Sequence, residues 1–225
     1  MLNVQNVTKT YVIKNKPINA LQNINVSFKS GDFTVVCGHS GCGKSTLVLS
    51  LGSMLRPTSG TVSYKGQDIY SISAAKRNTY RKHAVGFIFQ RFFLIPYLTA
   101  YDNIMLSLPP GYRNAEGRLK AVSLAERLNI ENRLEHRPQE LSAGEQQRVA
   151  MARALVSDPE IILADEPTGN LDPENTKIIA DFLIEEADKG RIVILATHDK
   201  SLNKMGNSKI DMKEGRICQL VLTGL

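Results

Sequence analysis

Gly38-His39-Ser40-Gly41-Cys42-Gly43-Lys44-Ser45 follows the pattern G-x-x-x-x-G-K-S/T, between an apolar stretch at residues 33–37 and a segment from Lys44 that favours a helix. No other feature of the 225 residues constrains the chain as strongly. Glycines let successive backbone N–H groups turn inward around phosphates, and the helix that follows presents its positive end to them. Lys44 is placed to reach the β- and γ-phosphates, the Ser45 hydroxyl to bind Mg2+, and Thr46 to stand beside them in the helix's first turn. The expected ligands are therefore ATP and Mg2+. Cys42 lies inside this loop, so thiol alkylation and nucleotide are expected to compete.

A second element supports the first. Residues 161–164 are an apolar strand that runs into Asp165-Glu166, with Asp165 placed to hold the Mg2+ shell and Glu166 to polarise an attacking water. Around it, helix and strand alternate: a helix from Ala143 to about Val156, a second after Pro173 with Asp172 as its cap, and a strand at 192–196. Ile178, Phe182 and Leu183 give the second helix an apolar stripe. Such alternation argues for a parallel sheet covered by helices. The opening differs, with strand-like stretches at 2–7, 24–28 and 33–37 parted by turn residues, and reads as antiparallel sheet. Between the two, Pro96, Pro109, Pro110 and Gly111 precede Ala121, Leu124, Ala125 and Leu128 at helical spacing, a mostly helical insertion.

Composition removes some classes. Apolar residues at 42% suffice for a substantial core, yet the longest apolar runs fall far short of the roughly 20 residues that cross a bilayer. The N-terminus has neither the apolar stretch nor the cleavage site of a secretory signal, and three scattered cysteines fit reduced thiols, so a cytoplasmic chain is expected. The net charge of +6 includes a cluster at Lys76, Arg77, Arg81, Lys82 and His83 that reads as a solvated face. No nucleic-acid partner is expected from it.

Leu141-Ser142-Ala143-Gly144-Glu145-Gln146-Gln147 narrows the choice, because it resembles the LSGGQ signature of ATP-binding cassette (ABC) ATPases. Ser142 and Glu145 have capping-box spacing, so a helix starts there with open N–H groups, a ready anion site. The resemblance extends in order along the chain. Tyr11 looks like the aromatic that stacks on adenine, Gln90 like the Q-loop glutamine that touches metal and water, Asn170-Leu171-Asp172 like the D-loop, and His198 like the switch histidine. Ala143 and Glu145 depart mildly from the usual signature.

The resemblance implies an α/β fold, a P-loop NTPase of ABC type. Its mixed sheet core would carry an N-terminal antiparallel β subdomain and a helical insertion subdomain. One domain would span 1–225, with the core at about 1–90 and 138–225 and the helical part at about 91–137. It implies Glu166, His198, Gln90 and Lys44 as catalytic residues, with Ser45, Gln90 and Asp165 at the metal. Nucleotide would meet Tyr11, the loop from Gly38 to Thr46, and Ser142, Gly144, Glu145 and Asp172. The P-loop of one copy and the signature of another would share each ATP, so a head-to-tail homodimer is expected, held to the inner face of the membrane by separate permease subunits. Residues 92–100 and 168–172 look most like the branch of lipoprotein-releasing (LolD-like) and macrolide-exporting (MacB-like) ATPases. That implies export or extraction of a lipoprotein, peptide or drug-like substrate. The alternative is an FtsE-like switch that controls a membrane-anchored cell-wall or division factor without transport.

Overall fold

The computed structural model describes residues 1–169 and 171–222. In chain order its elements are β1 (Leu2–Ile13), β2 (Lys16–Phe28), β3 (Phe33–Cys37), α1 (Lys44–Leu51), β4 (Ser59–Tyr64), β5 (Gln67–Asp68), α2 (Ala74–His83) and β6 (Val85–Phe89). There follow α3 (Ala100–Met105), α4 (Ala115–Arg127), α5 (Ala143–Leu155), β7 (Ile161–Asp165), α6 (Pro173–Asp188), β8 (Ile192–Thr197), β9 (Ser208–Lys213) and β10 (Arg216–Leu222). The fold is α/β, a mixed sheet beside an antiparallel one, with helices on the larger sheet.

The smaller sheet has the order β2-β1-β4-β5, all antiparallel. Ile13 pairs with Lys16 across a two-residue turn in which Lys14 and Asn15 take φ of 50° and 59°. That left-handed pair matches the strands' twist and carries the hairpin well past the stretches at 2–7 and 24–28 that alternation marks out.

The larger sheet has the order β10-β9-β3-β8-β7-β6, parallel except for β10 on its edge. β3 thus leaves the antiparallel opening to which its position in the chain had assigned it, and pairs with β8 and β9. The physical reason is in its own residues. All five positions of Phe-Thr-Val-Val-Cys are buried, the mark of a parallel strand covered on both faces. Successive side chains serve two cores: Val35, Ile162 and Ala164 pack under α3 to α6, while Val36, Ile161 and Leu163 pack against α1 and the smaller sheet. In α6 the buried row is Ile179, Phe182, Leu183 and Glu186, and Ile178 stands half-buried at its side. The stripe runs one residue later than apolar identity alone suggests. Among the described residues no helix is long and apolar enough to cross a membrane.

Candidate active site

The tips of β3, β7 and β8, with the residue after β6, meet at one cavity of about 840 Å3. Gly43 closes the loop into α1 at φ 108°, and a Cβ there would stand 2.3 Å from the Ala20 carbonyl oxygen, so both conformation and space demand glycine. No side chain caps α1, which leaves its first N–H groups for a ligand. Lys44 is 5% exposed. Its Nζ donates to the carbonyls of Gly38 at 2.8 Å and His39 at 3.4 Å and lies 3.5 Å from Glu166 Oε1.

Below the loop, Ser45 Oγ donates to Asp165 Oδ1 at 2.9 Å. Burial, joined by the neighbouring Glu166, raises the Asp165 pKa against the lowering effects of Ser45 and Lys44. Glu166 is held by several contacts. Its N–H donates to the Ala196 carbonyl at 2.8 Å, and its Oε2 accepts from the His198 N–H at 3.2 Å and the Thr197 hydroxyl at 3.3 Å. The same oxygen lies 2.8 Å from His198 Nδ1. Its φ of 51° is costly for a side-chain-bearing residue, on the order of 1 to 3 kcal/mol, and these contacts hold it there. Gln90 faces the cavity from the end of β6, and a Cβ on Gly169 would come within 2.8 Å of its Nε2.

The cavity therefore gathers Gly38, His39, Ser40, Gly41, Gly43, Lys44, Ser45, Thr46, Gln90, Glu166 and His198, with Asp165 hydrogen-bonded beneath. Tyr11, Ser142, Gly144, Glu145 and Asp172 stand outside it. Asn170 lies outside the described residues. Cys42 joins the loop through its backbone, but its side chain packs among Leu21, Leu47 and Met212 in the core. The expected competition between alkylation and nucleotide is thus corrected: that thiol is buried, and Cys218 is the exposed one. Asn203 and Asp211 also line the cavity. Cys37 links them, pairing with Asp211 in parallel register and lying with its Sγ 2.8 Å from Asn203 Oδ1. No local motif marks either residue.

The second cluster is built around the start of α5. Ser142 Oγ accepts from the Glu145 N–H at 3.3 Å, Glu145 Oε2 accepts from the Ser142 N–H at 2.8 Å, and Arg133 Nε meets Glu145 Oε1 at 2.6 Å. Arg133 and the Ser142 backbone together lower the Glu145 pKa to about 2. Gly144 lies directly against Asn175, whose Oδ1 would be 2.3 Å from an added Cβ. Asn175 in turn bonds Asp172, the cap of α6, through Nδ2 at 2.7 Å and its N–H at 2.8 Å. Tyr11 is partly exposed, with Lys9 Nζ 5.3 Å from its ring centre.

A phosphate cradle between a buried parallel strand and an uncapped helix, facing a clamped carboxylate, defines a nucleoside-triphosphate hydrolase of the α/β class. The family model for "ABC transporter" matches residues 21–169, and the chain belongs to that family. It is an ATP-binding protein with ATPase activity. It is 41% identical over 222 residues to the uncharacterized ABC transporter ATP-binding protein MJ1508 of Methanocaldococcus jannaschii, covering 98% of this chain and 99% of that one. The lipoprotein-releasing system ATP-binding protein LolD of Syntrophus aciditrophicus is 38% identical over 219 residues, 96% of this chain and 98% of its own. Among solved structures, the ABC transporter cassette MJ0796 in dimeric form matches with a TM-score of 0.90 at 34% identity over 99% of both chains. Its post-hydrolysis dimer bound to ADP and Pi matches with a TM-score of 0.88.

Proposed function

We propose that this ATPase is the motor of a membrane transport complex, acting as a head-to-tail pair of identical copies that close on two ATP molecules and drive separate permease subunits. The observation that carries the reading is the separation of Ser142 and Gly144 from the cavity that holds Lys44. An open helix start has no phosphate to meet within its own chain, and a second copy turned end for end would supply one. The dimeric form of MJ0796 supports this.

In that pair, Lys44 would neutralise charge between the β- and γ-phosphates, His198 and the partner's signature would meet the γ-phosphate, and Tyr11 would pack on the base. Glu166 would accept a proton from the attacking water, with Gln90 beside it. Ser45 Oγ and Asp165 Oδ1 are hard oxygen donors side by side, the type Mg2+ takes. Among the described residues no group of three or more His, Cys, Asp or Glu could hold a metal. Ser45, Asp165 and Gln90 would hold Mg2+, with phosphate oxygens and water completing its shell. Mg2+ would offset the charge that develops on the phosphates.

The permease would seat in the groove beside β6, where Phe87, Phe89, Leu106 and Pro109 make an apolar floor near Gln90 and where Phe93 is exposed. It would hold the pair at the inner face of the membrane. The likeness to LolD supports export or extraction of a lipoprotein, with a peptide or drug-like molecule as the wider class. We also propose residues 91–137 as a helical subdomain within a single cassette. The test is isolation of the tagged chain from its own cell membranes in mild detergent. An integral membrane protein that co-purifies and raises ATP turnover is expected, and recovery of ribosomes alone would overturn the transport reading.

A further inference from the structure

We infer that Arg153 is a positioning residue for hydrolysis: its guanidinium, closed on two successive carbonyls of the segment after β6, holds Gln90 at the cavity. The inference rests on the reading that gives Gln90 a part in turnover. Arg153 Nη1 donates to the Phe93 carbonyl at 2.6 Å, and Nη2 donates to the Phe92 carbonyl at 2.7 Å. Among the described residues no carboxylate pairs with it, and burial lowers its pKa. A half-buried cation kept without a counter-charge is costly, and what it gains here is two charge-assisted hydrogen bonds to backbone.

That backbone needs holding. Phe93 has φ 47°, a left-handed conformation unfavourable for an aromatic residue, and the residue is 63% exposed. An edge-on contact with Phe89, 5.5 Å between ring centres, joins it to the sheet. The other end of the segment is tied by the same helix, since the fully buried Gln147 donates Nε2 to the Phe89 carbonyl at 3.3 Å. Gln90 therefore sits between two anchors on α5, the helix whose first turn is the signature. Arg153 also lines the groove proposed for the permease, together with Phe87, Phe89 and Leu106. A partner seated there would bear on Arg153, and through it on Gln90 and on the signature helix. Lysine cannot replace it, because a point charge on one nitrogen cannot span two carbonyls as the planar fork does.

The experiment compares Arg153→Lys, Gln90→Ala and the double variant for ATP turnover and for amide hydrogen exchange across residues 90–94. Arg153→Lys is expected to lower kcat about tenfold with KM for ATP within about twofold. It should speed exchange at 90–94 while leaving α5 and β7 protected. The double variant should be within about twofold of the slower single variant, because both remove one function. Effects that multiply, exchange that rises throughout the chain, or an unchanged kcat in Arg153→Lys would overturn the inference. An unchanged kcat in Gln90→Ala would remove the part given to Gln90 and this inference with it. Slow turnover in Gln90→Ala beside normal turnover in Arg153→Lys would remove this inference alone. Arg153→Gln, which keeps one amide to donate, is a second variant and is expected to lie at or below Arg153→Lys in kcat.

Discussion

The loop at Lys44 and the helix start at Ser142 are the two places proposed to hold phosphate, and they are finished to different degrees. Around Lys44 the chain supplies everything it can: a cavity, a buried ammonium, and a carboxylate in a strained conformation gripped by Thr197 and His198. Around Ser142 it supplies a cradle whose N–H groups are ordered by the capping box and which stands outside that cavity. On the proposed function, the difference teaches that one half-site is assembled by folding and the other by association. Changes near Lys44 should strike chemistry in a single copy, and changes near Ser142 should strike what happens between copies.

Glu166→Gln tests the first half hardest. It keeps the shape but removes the base, so turnover should fall by about 100- to 10,000-fold in a phosphate-release assay while nucleotide still binds and a dimer accumulates in ATP on size exclusion. Normal turnover would exclude Glu166 as the base. Ser142→Asp tests the second half more finely, because aspartate caps a helix as well as serine does but sets a negative charge where the partner's phosphate would arrive. We expect thermal stability within about 1 kcal/mol of the parent, turnover lowered about 10- to 100-fold, and no dimer in ATP. An intact dimer would show that the signature does not face nucleotide.

Gly144→Ala has a smaller effect. Its new methyl meets Asn175, so destabilisation of about 1 to 3 kcal/mol is expected in thermal melts, relieved when Asn175→Ala is added. Additive losses would mean that the contact does not limit packing. The smallest effect is one of pH. The Glu145 pKa falls from 4.5 to about 2 in the folded chain, so its contribution is complete above 4.5 and disappears as pH falls toward 2. The stability gap between parent and Glu145→Gln should therefore narrow between about pH 5 and about pH 3. A gap that stays constant would mean that the Arg133 contact does not need the charge.

The same contrast between local and distant partners explains what could be read from the chain. The cradle at Lys44, the acid pair at Asp165 and the box at Ser142 are contiguous, each with its geometry written into a few residues and their periodic flanks. The helix from Lys44 to Leu51 and the cap at Asp172 are where those signals put them. What was hidden depends on partners far off in sequence. β3 belongs to the parallel sheet because β8 and β9 come to meet it, and Asp211 reaches the cavity only through that register. The fit of Gly144 against Asn175 and the hold of Arg153 on Phe92 and Phe93 join separate elements and leave no local pattern. Even the buried face of α6 turns on phase, set by the helix's seat on the sheet, and it takes Ile179 over Ile178.

The claim that one site is made from two copies is tested most directly by mixing two inactive proteins. Lys44→Ala spoils the cavity and Ser142→Asp spoils the cradle, so a mixed dimer holds one site with both defects and one with neither. Equal amounts should recover turnover well above that of either component, about a quarter of the parent's for random pairing, because each mixed dimer has one sound site. A mixture no more active than its components would contradict the account.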